Sequence, residues 1–573
     1  MRCGRSSTSS DTHSPTTGTV QRTMIWSTWW GSCRRETPRA YRCPNSVRAA
    51  GDERSDTMRV RQEAGCASGR SATSRSDSSG DSGPVGRDEE SSLTRRTTAG
   101  VGWNWGASVV TAVVQLVYTA VTSRVLTPAD FGLVAAALLS VRFVTYFSRF
   151  GLSSAVVQRE RLGRLEESTA LRLSALFALG FGLLVVLLAP VLGVLVRSPE
   201  TAQITRWLSV GVALTALTTV PEALLRRRLR FRTLSMVRVS SFTVGYLGFG
   251  VGAALLGAGV WSLVLSSTSQ VAIALVATTL LARPAFREGF SRSVASGLVR
   301  FGGTESVTGF LQFLTYNLDT VAVARYLGPS AIGQYSRATY LVGVPFEYLS
   351  TAVTAGLLPG FSRVQHERSR FAGALRIAVG LQAAVVLMVA AVVAAAAPAL
   401  VPWLLGPGWE SAAQVLPFVA AAQALGYLDS VPSVAAVAKG MVGRLLALQT
   451  VSLVVNLALI GAVVLKGPAL VPLAAAWSLG SVVRLGLYLV WIVPRLGVTR
   501  VELVGRYAFA VLAAAVASAP VVGVVRVAGS TGFWSMVGSA ALGVVLAGLL
   551  VVSPLGRTVR TDAGGLRSRL VNR

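Results

Sequence analysis

From residue 100 onward, apolar runs alternate with short polar turns. Each run is about 20 residues long, enough at 1.5 Å per residue to cross a bilayer. Six runs fall near 101–123, 131–156, 171–196, 203–225, 235–256 and 259–281. Six more fall near 299–324, 335–358, 374–400, 411–436, 445–465 and 469–492, and two last ones near 505–525 and 533–553. The pattern predicts an all-α polytopic membrane protein of about fourteen transmembrane helices, with no connection long enough for a soluble domain. Residues 1–90 differ: Ser, Thr, Arg, Gly and Asp dominate, and such a segment buries too little apolar area to fold. It reads as a disordered basic tail without the apolar core of a signal peptide. Either it touches anionic lipid from the cytoplasm or, the reading preferred here, it is a dispensable extension, with Met58 or a later codon as the start.

Two of the polar turns are alike. Arg124-Val-Leu-Thr-Pro128-Ala-Asp-Phe-Gly132 and Arg325-Tyr-Leu-Gly-Pro329-Ser-Ala-Ile-Gly333 both read R-x-L-x-P-x-x-x-G, 201 positions apart. The flanking helices keep that offset. Before the first turn, Asn104, Ser108, Thr111, Gln115, Tyr118 and Thr122 recur every three or four residues and so share one helical face. Before the second, Glu305, Thr308, Gln312, Thr315 and Asp319 do the same, and Asn104, Thr111 and Tyr118 map onto Glu305, Gln312 and Asp319. After the turns, Arg142, Tyr146 and Arg149 map onto Gly343, Glu347 and Ser350. Helices one to six and seven to twelve are therefore expected to form two six-helix lobes in pseudo-two-fold repeat around a central cavity. An even number of spans per copy places the axis along the membrane normal. The expected segments are an N-lobe at 91–283, a C-lobe at 284–494, and two extra helices with a basic tail at 495–573.

Charge sharpens the picture. The net charge is +28, yet only 14% of residues are charged, 52% are hydrophobic, and the mean hydropathy is +0.56. The arginines sit in the tail and in alternate loops, such as Arg226, Arg227, Arg228, Arg230 and Arg232, or Arg363, Arg368, Arg370 and Arg376. The opposite loops hold few cations: Arg124, Arg197, Arg206, Arg325, Arg337, Lys466 and Arg526. That distribution fixes topology and is no footprint of nucleic acid. It puts both termini in the cytoplasm and the paired turns outside. Pro and Gly in those turns suit them to act as outer-gate hinges.

Catalytic chemistry has little to use. The four cysteines lie in the tail without zinc spacing, and the only histidines are His13 and His366. No Walker loop or G-x-S-x-G occurs, and His366-Glu367 lacks a second histidine for a zincin. The spacings point to no metal, cofactor or enzyme activity. What remains is the polar stripe. A charge at a helix centre costs roughly 2.5–3.5 kcal/mol in lipid, so these faces are expected to meet in a water-filled cavity. The candidate lining residues are Asn104, Gln115, Arg142, Tyr146, Arg149, Glu305, Gln312, Asp319 and Glu347. Packing roles stay open: Arg149 snorkelling or pairing with Glu347, Glu305 at the interface, Asp319 pairing with Arg325. Asp429, Arg484 and Asn456 read as structural, Asn456 as an interhelical hydrogen-bond partner.

A family resemblance rests on a string of short motifs across roughly 91–500. They are Ser92-Leu-Thr-Arg-Arg, Gly102-x-Asn-Trp105-Gly, Thr127-Pro-Ala-Asp-Phe-Gly-Leu-Val134 and Phe150-Gly-Leu-Ser-Ser-Ala-Val-Val-Gln-Arg159. Asn317-Leu-Asp319, Arg325-x-Leu-Gly-Pro329, Gly333-x-Tyr-Ser-Arg337-Ala and Leu358-Pro-Gly-Phe-Ser-Arg363 continue it. With these the chain resembles the Wzx-type polysaccharide flippases of the multidrug/oligosaccharidyl-lipid/polysaccharide exporter superfamily. The resemblance implies alternating access between two lobes in a bacterial inner membrane. It implies a lipid-linked oligosaccharide as substrate and, as partners, membrane lipids, a polysaccharide polymerase and chain-length machinery. Members often carry an acid where Arg149 stands, so an acidic coupling site there does not carry over. Two further readings stay open. One is a drug or metabolite extruder of the same fold. The other is an integral-membrane polymerase or ligase, which would usually need a large external loop with catalytic Arg or His.

Overall fold

The computed structural model describes residues 85–158, 162–528 and 533–552. Its side chains are described except chiefly at 85–102, 143–151, 299–312 and 347–356. All of its regular structure is helical among these residues. We number the helices α1 (Val85–Val125), α2 (Pro128–Gln158), α3 (Arg164–Val196), α4 (Pro199–Arg227), α5 (Phe231–Leu255) and α6 (Trp261–Ala282). Next come α7 (Arg292–Val364), α8 (Arg368–Leu405), α9 (Glu410–Ala438) and α10 (Val442–Lys466). The last are α11 (Leu470–Leu496), α12 (Arg500–Ala528) and α13 (Phe533–Val552). Helix α7 is one run of 73 residues broken at Gly328, whose φ of 82° takes the backbone out of the helix and leaves two arms. Helix α1 starts at Val85, before the boundary expected at 90.

Among the described residues, ten helices are long and apolar enough to cross a membrane. They are α3 to α6, α8 to α12, and α1 from Gly106. The other four predicted spans coincide with α2, the two arms of α7 and α13, which do not meet that measure; the count of fourteen is thus not confirmed.

The lobes repeat the same packing. In the first, α4 is the hub, packed on α2, α3 and α6, while α1 packs on α5. In the second, α9 is the hub, packed on α7, α8 and α11, with α10 against α7. Gln423 of α9 donates to the Thr339 carbonyl at 3.0 Å and Tyr427 meets Phe346 edge-on at 5.2 Å, so the second arm of α7 is the counterpart of α2. Helices α12 and α13 pack on α8 through small side chains, with Ala396, Ala399, Ala513, Ala517 and Ala547 buried at the contact.

At the arginine-rich end, the α4–α5 corner ties helices together by capping. Arg227 Nη1 donates to the Val156 carbonyl at 3.3 Å near the end of α2. Arg228 Nη1 donates to the Ala282 carbonyl at 2.5 Å at the end of α6. Both cations meet the negative ends of helix dipoles and satisfy carbonyls that have no intrahelical donor.

Candidate functional site: a basic cavity between the lobes

At the other end, the two R-x-L-x-P-x-x-x-G turns pack on each other. A Cβ on Gly132 would lie 1.7 Å from the Pro329 carbonyl oxygen, and a Cβ on Gly333 would lie 1.7 Å from the Pro128 carbonyl oxygen. The reciprocity is that of a two-fold axis: residue i meets j, and j's counterpart meets i's. The glycines are thus required by backbone contact. Neither has a positive φ. Pro128 opens α2, preceded by Thr127, whose N–H donates to Asp130 Oδ2 at 2.9 Å. The second copy has Gly328 and Ala331 at those positions, and positive φ replaces the cap.

A second clasp crosses the lobes here. Trp409 Nε1 donates to the Ser123 carbonyl at 3.1 Å, and Arg124 Nη2 donates to the Trp403 carbonyl at 2.5 Å. Within the C-lobe, Gln334 Nε2 donates to the Gly408 carbonyl at 2.6 Å and its Oε1 accepts from the Ala412 N–H at 2.9 Å. No partner is recorded for Arg325, so the two turn arginines are used unequally among the described residues.

Beneath the turns lies a cavity of about 450 Å³. It is walled by α1, α2, α5 and α6 of one lobe and by α7 and α9 of the other. Of the predicted lining residues, Gln115 and Arg142 face it, together with Gly343, the repeat counterpart of Arg142. The side chains of Asn104, Tyr146, Arg149, Glu305, Gln312 and Glu347 lie outside the described set. Asp319 does not line it. That residue is 3% exposed and accepts a 2.5 Å hydrogen bond from the Tyr335 hydroxyl, which ties the arms of α7 together across their break; its neighbour Thr320 takes the place on the wall. The alternative pairing with Arg325 is not formed.

The cavity also holds a cation that the sequence pattern misplaced. Arg337 was grouped with the turn-end loops, but it sits two helical turns into the second arm. Its guanidinium lies 4.5 Å from the centre of the Phe131 ring and 4.9 Å from that of Tyr340. The rings compensate some of the desolvation and fix its direction. The signal available in the sequence was its spacing: Arg337 and Tyr340 follow Ser336 and precede Gly343 on one helical face. Across the cavity, Tyr118 and Ser266 hydroxyls lie 3.1 Å apart, Tyr246 stacks on Phe242 at 4.1 Å, and Tyr118 meets Tyr246 edge-on at 4.8 Å. Gln115 Oε1, Thr339 Oγ1 and Arg337 Nε are buried with no hydrogen-bond partner among the described residues. Such orphaned polar atoms in a native interior call for a ligand or water. No described carboxylate lines the cavity, so its field is that of two guanidinium groups.

A sequence profile described as "Polysaccharide biosynthesis protein" matches residues 121–414, half of the chain, from just before the first turn to the first residues of the C-lobe hub α9. The chain belongs to that family. It is 30% identical over 329 residues to the succinoglycan biosynthesis transport protein ExoT of Rhizobium meliloti (strain 1021), covering 57% of this chain and 66% of that protein. It is 26% identical over 285 residues to the lipopolysaccharide biosynthesis protein WzxC of Escherichia coli (strain K12), covering 49% and 57%. The match thus spans less than two thirds of either relative's length. In structure it is similar to the lipid II flippase MurJ in an inward closed conformation. The TM-score is 0.62 at 11% identity, covering 78% of this chain and 96% of that one, a likeness of fold. The chain is accordingly a multi-pass membrane protein of two repeated lobes.

Proposed function

We propose that this protein is a flippase for polyprenyl-pyrophosphate-linked oligosaccharides, moving a polysaccharide precursor from the inner to the outer leaflet by alternating access. The observation that carries the reading is the pair Arg142 and Arg337 in a carboxylate-free cavity between the lobes. The physical problem is to carry a pyrophosphate and a sugar through hydrocarbon. Guanidinium groups replace the hydration of the phosphates by charge-assisted hydrogen bonds, and Gln115, Tyr118, Tyr340 and Gln423 offer hydroxyls and amides to the sugar. Arg149, Tyr146, Asn104, Gln312, Glu305 and Glu347, which share the repeat register of these walls, are proposed to extend the same surface. The loop charges support an orientation with both termini and the arginine-rich end in the cytoplasm, so that the clasped turns close the outer face. A polymerase and chain-length machinery would take the product on the outer side. The names and fold of the relatives support this reading over a polymerase or ligase. The basic cavity argues against an extruder of cationic drugs.

The test is transport. Arg142→Gln combined with Arg337→Gln should abolish translocation of a lipid-linked oligosaccharide in reconstituted vesicles while the protein still inserts. Undiminished translocation by the double variant would falsify the assignment.

A further inference from the structure

Next to the basic cavity, and along the same pair of helices, lies a second space of opposite character. The seam between α1 and α5 opens into a slot of about 950 Å³. Gly106, Ala107 and Val110 line one side, and Met236, Val239 and Val244 the other. The slot lies one to two helical turns nearer the arginine-rich end than the cavity. From Val110 in the slot to Gln115 in the cavity is five residues, about 7–8 Å along α1. On α5 the two spaces interleave, with Thr243 and Val244 on the slot and Phe242 and Tyr246 on the cavity.

Three observations say what fits. First, the slot is walled by small and apolar groups and leaves Val110, Met236 and Val244 nearly half exposed, at 47%, 46% and 47%. Of its few hydroxyls, Ser240 is turned to its own helix, donating to the Val237 carbonyl at 3.3 Å. A sugar would find few partners there, whereas a methyl-branched hydrocarbon needs none. Second, a cation is fixed at the rim. The Arg232 guanidinium lies 4.7 Å over the Trp103 ring and is in no ion pair among the described residues. A tryptophan and an arginine at the end of an apolar span sit at head-group depth. Third, α5 is wound as a π-helix over Thr243–Val251, from the slot past Tyr246 of the cavity wall. This wider winding lets the wall re-form without breaking the helix, and π-helical turns occur at functional sites.

We propose that the α1–α5 slot is the loading site for the isoprenoid chain of a lipid-linked pyrophosphate, with Arg232 holding the phosphates at the membrane surface before they pass along the seam to Arg142 and Arg337. The match is one of amphipathic order: a hydrocarbon slot ending in a stacked cation suits a hydrocarbon chain ending in an anion. The chain's stay in the slot supplies affinity from apolar burial, and the cation sets the register. This proposal rests on the flippase reading and adds where the lipid part of the substrate sits.

The experiment uses the full chain in vesicles of phosphatidylethanolamine and phosphatidylglycerol containing a small fraction of undecaprenyl pyrophosphate. A photoreactive residue replaces Met236, and the lipid adducts are identified by mass. The expected result is isoprenoid adduct far above its share of the membrane. Filling the slot with Val110→Trp and Val239→Trp should lower that adduct about tenfold, a loss of the size overpacking imposes on a bound chain. Arg232→Gln leaves the slot open. It should lower labelling by the pyrophosphate while sparing labelling by undecaprenol, which separates a bound ligand from a misfolded slot. Adducts of acyl chains in proportion to their abundance, no adduct at all, or labelling indifferent to all three substitutions would overturn the proposal. Oligosaccharide transport measured in the same vesicles keeps the two readings apart. Transport with acyl adducts only removes the slot and keeps the flippase; isoprenoid adducts without transport keep the slot and remove the flippase.

Discussion

Two residue-scale contacts decide what the paired turns do. Gly132 and Gly333 sit where any side chain would run into a carbonyl of the other copy, at 1.7 Å in both cases. Replacing a hydrogen there by a methyl must push apart two backbones. Gly132→Ala and Gly333→Ala are each expected to destabilise the clasped state by about 1–3 kcal/mol, read as a lowered unfolding midpoint in detergent. Gly180→Ala is the control, because nothing lies within 4 Å of the added Cβ. Equal midpoints for all three variants would show that the turns do not touch as described. Arg337 carries the other residue-scale lesson. Counting charges in loops placed it with the turn, but helix α7 continues through the turn with a single break at Gly328, and this puts Arg337 inside.

At the scale of elements, the C-lobe depends on a buried pair. Arg484 Nε on α11 lies 2.8 Å from Asp429 Oδ2 on α9, with both side chains 6–7% exposed. Gly426, one turn before Asp429, leaves room for the guanidinium, since a Cβ there would lie 2.5 Å from Nη2. Removing one partner leaves a buried charge uncompensated. Asp429→Ala should therefore cost about 3–5 kcal/mol in thermal unfolding, and Asp429→Leu with Arg484→Met should recover most of it. A mild effect of the single change would mean that water reaches Arg484. Asn456, expected to bridge helices, donates instead to the Ser452 carbonyl of its own helix at 2.9 Å, while its Oδ1 packs where Gly480 of α11 leaves space. A polar residue on the inner face of a span was legible as buried; its partner was not, because same-helix and neighbouring carbonyls compete for one donor.

At the scale of the molecule, the clasp at the turns closes that end, with the basic cavity held beneath it; on the flippase proposal this would be one of the two states of the cycle. If opening this end is required for each cycle, fixing it shut should stop transport. A cross-linker joining Ala129→Cys and Ser330→Cys, a repeat-related pair, is expected to reduce oligosaccharide translocation by tenfold or more, with recovery on cleaving the linker. The four native cysteines, at positions 3, 33, 43 and 66, would first be replaced. Unchanged translocation with the link in place would mean that these turns never separate.

The sequence by itself determined the all-helical membrane architecture, ten of the fourteen expected spans, the arginine-rich loops and the 201-residue repeat. Those follow from local periodicity and from the cost of placing charge in lipid, and both act on one helix at a time. It also placed Gln115 and Arg142 on inward faces. Only the tertiary structure decided which inward faces meet. Tyr335 draws Asp319 off the cavity wall, Phe131 and Tyr340 draw Arg337 onto it, and the turns close on each other through two glycines. A helical period says that a face is buried, but the partner across two hundred residues is chosen by shape and by the few polar atoms that must be satisfied there.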